Sequence, residues 1–307
     1  MRAESTRKDI AVILVGLNTR DYVKNCLESL AKTDWRGYTH EIIYVDNGSA
    51  DDSVEMARRE FPEVKVIANR ENLGFCKAAN QAAALANSRY HWQLNNDTLV
   101  YPDSAPLLAE FLDQTPDAAA VGSRLLNPDL SDQWSARRFP SGVHAFFGRR
   151  SRLSRWFPQA KPVRDYLYKD QLLGDKPFPV DWVPTVCMLL REEVFQRLGG
   201  MPEEFYYWHE AVFCDRIRQE GGKIYVVPLS KVIHFEGKGG GPRPYRVRRW
   251  HIKDFHRGAY RFYCERNRPG KLSLTRWFIA LGLTLRASLL LTANWLTSLR
   301  ERMKSHA

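Results

Sequence analysis

The sequence predicts an α/β fold, with a mostly parallel central sheet flanked by helices and a separate helical extension at the C-terminus. Three observations carry this. The first hundred or so residues alternate strand-length apolar runs with segments of helical period, the pattern of βαβ units. Polar residues cluster where those strands end. The last part of the chain changes character, first strongly basic and then apolar.

Ile10 to Leu17 is a continuous apolar run and the first strand; Val23, Cys26, Leu27 and Leu30 then recur at helical spacing. Glu41 to Val45 is a second strand and runs into Asp46-Asn47-Gly48-Ser49. A short helix follows, with Val54 and Ala57 on one face. Val64 to Ala68 is a third strand, Phe75 to Asn87 an Ala-rich helix, and Tyr90 to Leu94 a fourth strand ending in Asn95-Asn96-Asp97. Crossovers of this kind are right-handed, and such sheets hold ligands at the carboxyl ends of their strands. Asn18, Asp46, Asn72 and Asp97 fall there. Pro102 and Asp103 open a helix with Leu107, Leu108, Phe111 and Leu112 as its apolar face. From Asn127 to Val180 the pattern weakens into a long irregular excursion of the kind that usually carries function. Periodicity returns at Asp181 to Arg191 and in a helix near Glu210 to Gln219, followed by short strands at Lys223 to Val227 and Lys231 to Phe235.

At 307 residues, 44% apolar and 12% aromatic, the chain has enough material for a sizeable core, which excludes a disordered protein. Five scattered cysteines (Cys26, Cys76, Cys187, Cys214, Cys264) without a C-x-x-C pair read as reduced thiols rather than a zinc site or a disulfide framework. Met1 to Asp9 has no apolar leader segment, so the cytoplasm is the expected compartment. The net charge of +11 is concentrated: Arg243 to Arg276 holds eleven Lys/Arg against Asp254 and Glu265. That stretch calls for an anionic partner, unless it is simply a solvated face. Trp277 to Leu299 follows with the single charge Arg286. A charge at the centre of a membrane-spanning helix costs about 2.5–3.5 kcal/mol on insertion scales. The stretch therefore suits a helix lying in the interface of an anionic membrane. Docking on the chain's own core or on a second subunit of a homodimer, and spanning, are the alternatives.

Asp97, where a strand gives way to a loop, can hold a divalent cation, since Mg²⁺ or Mn²⁺ needs only one or two protein oxygens when a diphosphate supplies the rest; a turn or cap residue is the alternative. Asp46 can accept hydrogen bonds from a base or ribose, and Gly48 permits a tight turn. The sequence lacks G-x-G-x-x-G and G-x-x-x-x-G-K-[ST], which argues against a dinucleotide dehydrogenase and a P-loop enzyme. A nucleotidyltransferase would need a Gly-rich basic loop where Gly16-Leu17-Asn18-Thr19-Arg20 stands. A nucleic-acid-binding module would use the aromatics interleaved with Arg between Trp250 and Tyr263, but no recognised binding motif accompanies them, and no nucleic-acid partner is expected.

Taken together and in order, these segments resemble glycosyltransferase family 2. VILVGLNTRDYVKNCLESL (Val12 to Leu30), EIIYVDNGSADDS (Glu41 to Ser53), NLGFCKAAN (Asn72 to Asn80), LNNDT (Leu94 to Thr98), FYYWHEAVFCDRIRQEG (Phe205 to Gly221) and VIHFEGKGG (Val232 to Gly240) are similar to its successive motifs. QWSARRFP (Gln133 to Pro140) and VDWVPTVCMLLR (Val180 to Arg191) resemble rhamnosyltransferase-like members. The resemblance implies a GT-A fold over residues 1–240, with a donor half at about 10–125 and an acceptor half at about 126–240, followed by the basic and amphipathic extension 241–307. It implies inverting transfer of a sugar, with rhamnose favoured, from a nucleotide-diphosphate donor to a glycan or lipid-linked glycan, with Mg²⁺ or Mn²⁺. Asp97 and His234 would serve the metal. Asn18, Asp46, Asn72, Gly74, Asn96 and Asp97 would form the donor site. Glu210 would be the base, with His209 the alternative, and Asp181, Trp182, Trp208 and Tyr207 would face the acceptor. Such an enzyme would work at the inner face of the cell membrane. The chain departs from the family at His209-Glu210, where Glu-Asp is usual, and at Val212, where a second Asp is common. It also has Thr185-Val186 for Gly-Ala and Ala82 for a frequent Gly.

Overall fold

A computed structural model describes residues 6–140, 156–236 and 245–305. The chain divides into two compact units. One is Met1–Met201 with Phe213–Gly239, and the other is Pro202–Val212 with Gly240–Ala307. This differs from the boundary read from the sequence, because residues 202–212 go with the C-terminal extension.

The first unit contains a nine-stranded sheet in the order β3-β2-β1-β4-β8-β6-β9-β5, with β7 also on β9. Its first half is the expected repeat: β1 (Lys8–Gly16), α1 (Arg20–Ala31), β2 (His40–Asp46), α2 (Ser53–Glu60), β3 (Lys65–Ala68), α3 (Phe75–Leu85) and β4 (Ser88–Asn95). These four strands are mutually parallel. Each crossover helix buries its apolar face: Val23, Cys26, Leu27 and Leu30 from α1 pack with Ile10, Val12 and Leu14 of β1 and with Trp92 of β4 in the main core. The helical period of about 3.6 residues and the two-residue strand period thus meet on one surface.

Beyond β4 the sheet becomes mixed. β5 (Thr98–Val100), α4 (Ser104–Gln114), β6 (Ala118–Leu126), α5 (Lys161–Tyr166), α6 (Lys169–Leu172), β7 (Phe178–Val180), β8 (Cys187–Arg191), α7 (Glu192–Arg197), α8 (His209–Gln219) and β9 (Lys223–His234) follow. β8 inserts antiparallel between β4 and β6, whereas β6 and β9 run parallel to each other and to β4. β5 and β7 pair antiparallel with β9. Six strands therefore point one way and three the other. The two short strands expected at 223–227 and 231–235 are one strand. Its register on β6 jumps from Val227 opposite Ser123 to Lys231 opposite Arg124. Pro228, which cannot donate to a ladder, sits in the jump, and the Ser230 hydroxyl closes it on Ser123 Oγ at 2.6 Å. The 127–180 excursion holds β7 and two short helices among its described residues. All five cysteines are free thiols, four of them buried.

The second unit is an αα-hairpin of α9 (Tyr245–Asn267) and α10 (Leu274–Ser305) together with the segment 202–212. Arg248 reaches Asn294, His256 meets Arg286, and Tyr260 meets Arg276, so the two helices run antiparallel.

Candidate active site

The strands of the first unit bring the expected residues to one sheet edge. Register sets Gly16 beside Asp46 and Val15 beside Asn95, so the loops after β1, β2 and β4 open side by side. Close approach there needs Gly16: a Cβ would stand 2.6 Å from Asn96 Nδ2 and 2.7 Å from Tyr44 Oη.

Asp46 is 2% exposed. Its Oδ1 accepts the Gly48 and Ser49 backbone N–H groups at 3.2 and 2.9 Å, and its Oδ2 accepts the hydroxyls of Tyr44 and Ser49. Its carboxylate thus shapes the turn after β2. Gly48 sits at φ +85° with the Glu71 backbone 2.9 Å from where a Cβ would be, so only glycine fits. Asn47 ties this turn to the loop before α3. Its Nδ2 donates to Asn72 Oδ1 at 3.0 Å and to the Gly74 carbonyl, and its Oδ1 accepts Leu73 N–H at 3.1 Å. Asn18, at φ +52°, joins β1 to the same turn: its N–H donates to Ser49 Oγ and its Oδ1 accepts Ala50 N–H. The buried Asn96 donates to the Thr19 hydroxyl. Around this rim Ser49 joins Asn18 to Asp46, Asn47 joins Asn72 and Gly74 to the turn after β2, and Asn96 bonds Thr19, the neighbour of Asn18. Asn47 is a residue to which the sequence reading gave no role.

Asp97 and His234 lie far apart in sequence and meet because β5 pairs antiparallel with the end of β9, Thr98 opposite His234. Phe235 N–H donates to the Asp97 carbonyl at 2.9 Å and locks the pair. Asp97 Oδ1 is 3.3 Å from His234 Nε2, the side chains 15% and 8% exposed. This oxygen is buried without a hydrogen-bond partner. The distance is short enough for an ion pair, but the geometry is not that of a hydrogen bond. The other ring nitrogen, Nδ1, is 2.9 Å from Gln133 Oε1, while Gln133 Nε2 donates to the His234 carbonyl at 2.7 Å. A carbonyl only accepts, so the Gln133 amide must turn its nitrogen to that oxygen and its own oxygen to Nδ1. Nδ1 then carries the proton, and in neutral His234 the Nε2 lone pair faces Asp97. Two acceptors 3.3 Å apart repel unless a proton or a metal cation stands by them. These residues therefore fit a divalent ion with substrate oxygens completing its shell. The carboxylate suits Mg²⁺ or Mn²⁺, and the imidazole favours the transition ion. Among the described residues no group of three or more His, Cys, Asp or Glu forms a complete protein cage.

The acceptor-side expectations fall differently. Asp181 accepts Phe139 N–H at 2.8 Å and pairs with Arg218 at 3.2 Å. Trp182 is 6% exposed, donates its indole N–H to the Arg138 carbonyl and lies under the Arg137 guanidinium at 4.5 Å. Both hold the 137–139 segment against the sheet, and burial of the Trp182 ring leaves it serving packing.

In the second unit, His209 and Glu210 open α8. His209 Nδ1 is 3.0 Å from the Tyr206 carbonyl and therefore bears the proton, and Nε2 lies 3.7 Å from Glu210 Oε2. Glu210 occupies the first turn of α8. Trp208 packs between Phe255 and Phe262 and donates to the Phe255 carbonyl at 3.0 Å, and Tyr207 Oη is 2.9 Å from His251 Nδ1.

Residues 11–199 match the family described as Glycosyl transferase family 2. An N-acetylglucosaminyl-diphospho-decaprenol L-rhamnosyltransferase of Mycobacterium tuberculosis is 26% identical over 311 residues, covering 96% of this chain and 97% of its own. Among solved structures, a mannosyltransferase of Pyrobaculum calidifontis in complex with GDP-Man and Mn²⁺ superposes with a TM-score of 0.57 at 18% identity, over 95% of this chain and 74% of that one. GalNAc-T7 with UDP, GalNAc and Mn²⁺ gives a TM-score of 0.61 at 18% identity, over 90% of this chain and 54% of that one. The ordered motifs, the sheet and the family match together make this chain a glycosyltransferase of GT-A fold that belongs to glycosyl transferase family 2.

Proposed function

We propose that the enzyme transfers a rhamnosyl group, with inversion, from a nucleotide-diphosphate donor to a lipid-linked N-acetylglucosaminyl acceptor at the cytoplasmic face of a membrane. The Asp97–His234 pair at the strand ends is the observation that carries the transfer reading. Similarity to the mycobacterial rhamnosyltransferase over nearly the whole of both chains supports the sugar and the acceptor class. Asn18, Asn47, Asn72 and Asn96 would shape the donor cleft around the turn that Asp46 organises, and Asp97 with His234 would hold Mg²⁺ or Mn²⁺. Such an ion neutralises charge on a departing nucleotide diphosphate. Glu210 would take the proton of the acceptor hydroxyl as it attacks the anomeric carbon, with Tyr206 fixing His209 beside it.

The membrane part rests on α10. By length and composition, its Leu274–Leu299 stretch is long and apolar enough to cross a bilayer. However, its inner face is tied to the basic helix α9 by Arg248–Asn294, Arg276–Tyr260 and Arg286–His256 contacts of 2.8 to 2.9 Å. Spanning would carry these charges into hydrocarbon, so the helix lies in the interface instead.

Asp97→Asn tests the site. A neutral amide is a poor ligand, so calorimetry should show Mn²⁺ binding and Mn²⁺-dependent binding of deoxythymidine-diphosphate rhamnose lost, with the unfolding transition unchanged. Unchanged affinities would remove Asp97 from the metal site.

A further inference from the structure

We infer that Gln133 is a positioning residue: it holds His234 in the Nδ1–H tautomer and so keeps the Nε2 lone pair available to the divalent cation. This rests on the metal reading of Asp97 and His234 given above. Gln133 stands on the segment after β6, 3% exposed, and reaches His234 across 101 residues of chain. It makes two contacts to the same residue, Nε2 to the His234 carbonyl at 2.7 Å and Oε1 to Nδ1 at 2.9 Å. The backbone contact sets the amide's orientation, and the amide's orientation then dictates which ring nitrogen is protonated.

The alternative state explains why this matters. A neutral imidazole beside a carboxylate gains most by donating a proton to it. Without Gln133, the His234 ring would be free to turn, place its proton on Nε2 and donate to Asp97 Oδ1, which now lies 3.3 Å away outside hydrogen-bond geometry. That single bond would occupy both prospective ligands at once. Gln133 opposes it by offering Nδ1–H an acceptor and by holding the ring where Nε2 makes no hydrogen bond to Asp97 Oδ1, which is buried and unpartnered. Outer partners of metal-binding histidines act in this way, and losing one typically lowers metal affinity about 10- to 100-fold.

The test uses the full chain and Mn²⁺ alone, with two readouts that do not depend on turnover. Nitrogen-15 spectra of the metal-free protein, with His234 assigned through His234→Gln, report the tautomer. Electron paramagnetic resonance titration reports Mn²⁺ affinity. Gln133→Leu should move the His234 proton to Nε2 and weaken Mn²⁺ about 10- to 100-fold. Gln133→Glu, which still offers Nδ1–H an acceptor and stays polar, should keep the Nδ1–H tautomer and most of the affinity, and it serves if the leucine variant fails to fold. An unaltered tautomer or unaltered Mn²⁺ affinity in Gln133→Leu overturns the positioning role, as does loss of affinity in Gln133→Glu with the tautomer intact. Asp97→Asn in the same titration separates the two claims: if it binds Mn²⁺ like the wild type, the metal site itself is misplaced.

Discussion

His91 lies on β4 with its side chain fully buried, its ring edge-on to Phe195 at 5.1 Å, and neither ring nitrogen has a partner. Burial pushes its pKa down to about 4. The unfolded chain titrates near 6.5, so it binds more protons than the fold between these values, and stability rises with pH across that window. The fold keeps the full contribution of neutral His91 above about pH 6.5 and loses it as pH falls towards 4. Between pH 7.5 and pH 5 this group alone should cost about 2 kcal/mol. His40 and His256, also shifted down by burial, share the acid limb. His91→Leu removes two unsatisfied polar atoms and should stabilise the protein by about 1–2 kcal/mol at neutral pH. In urea unfolding its loss between pH 7.5 and 5 should be visibly smaller than the wild type's; an equal loss would assign the acid sensitivity elsewhere. At this scale the sequence exposed some of the site and hid the rest. Asp97 and His234 stood out as metal candidates from their motifs, and the structure brings the two side chains together. Asn47 and Gln133 sat inside quoted motifs with no role, because their parts are defined by hydrogen bonds to residues remote in sequence. Trp182 looked like a sugar-stacking ring until its burial under Arg137 was visible.

Among the elements, the βαβ half was legible because each strand is a short apolar run and each helix has a clean face. β6 was not read: Ala118, Ala119 and Ala120 carry little strand preference, and the strand is made by burial between β8 and β9. β9 looked like two strands because Pro228 interrupts the alternation, and only the pairing with β6 shows it to be continuous. The basic stretch and apolar helix were evident as composition, but the structure adds how they are turned. Leu274, Phe278, Leu281, Leu285, Leu289 and Leu296 are all exposed and recur at helical spacing along one face of α10, while Arg286 reaches His256 and lies over Phe255. The stripe is therefore free of charge. On the partner helix Arg246, Arg249, Lys253, Arg257 and Arg261 are exposed. Each cation near an anionic surface adds about 1 kcal/mol, screened by salt. Phe278→Glu combined with Leu285→Glu should abolish binding to phosphatidylserine vesicles in flotation assays while leaving slow hydrolysis of the donor unchanged. Binding equal to that of the wild type would point to a protein partner for this face.

At the scale of the whole molecule, the first unit carries the rim of asparagines and the Asp97–His234 pair proposed for the metal, and the second carries the proposed base and the apolar stripe. The sequence resemblance extended across both units, which is why function was more legible than the domain boundary: motifs follow the chain, whereas units follow contacts that bring residues 202–212 to the C-terminal hairpin. The reaction itself can be measured directly. The most direct measurement incubates the full chain with deoxythymidine-diphosphate rhamnose, Mn²⁺ and an N-acetylglucosaminyl-diphospho-polyprenol in anionic vesicles, and identifies the lipid product by mass and anomeric configuration. The expected result is one rhamnosyl group added with inverted configuration by the wild type. Glu210→Gln should be slower by about 10²–10⁴ despite normal donor binding. A product of retained configuration, or no transfer while donor is hydrolysed at full rate, would contradict the account.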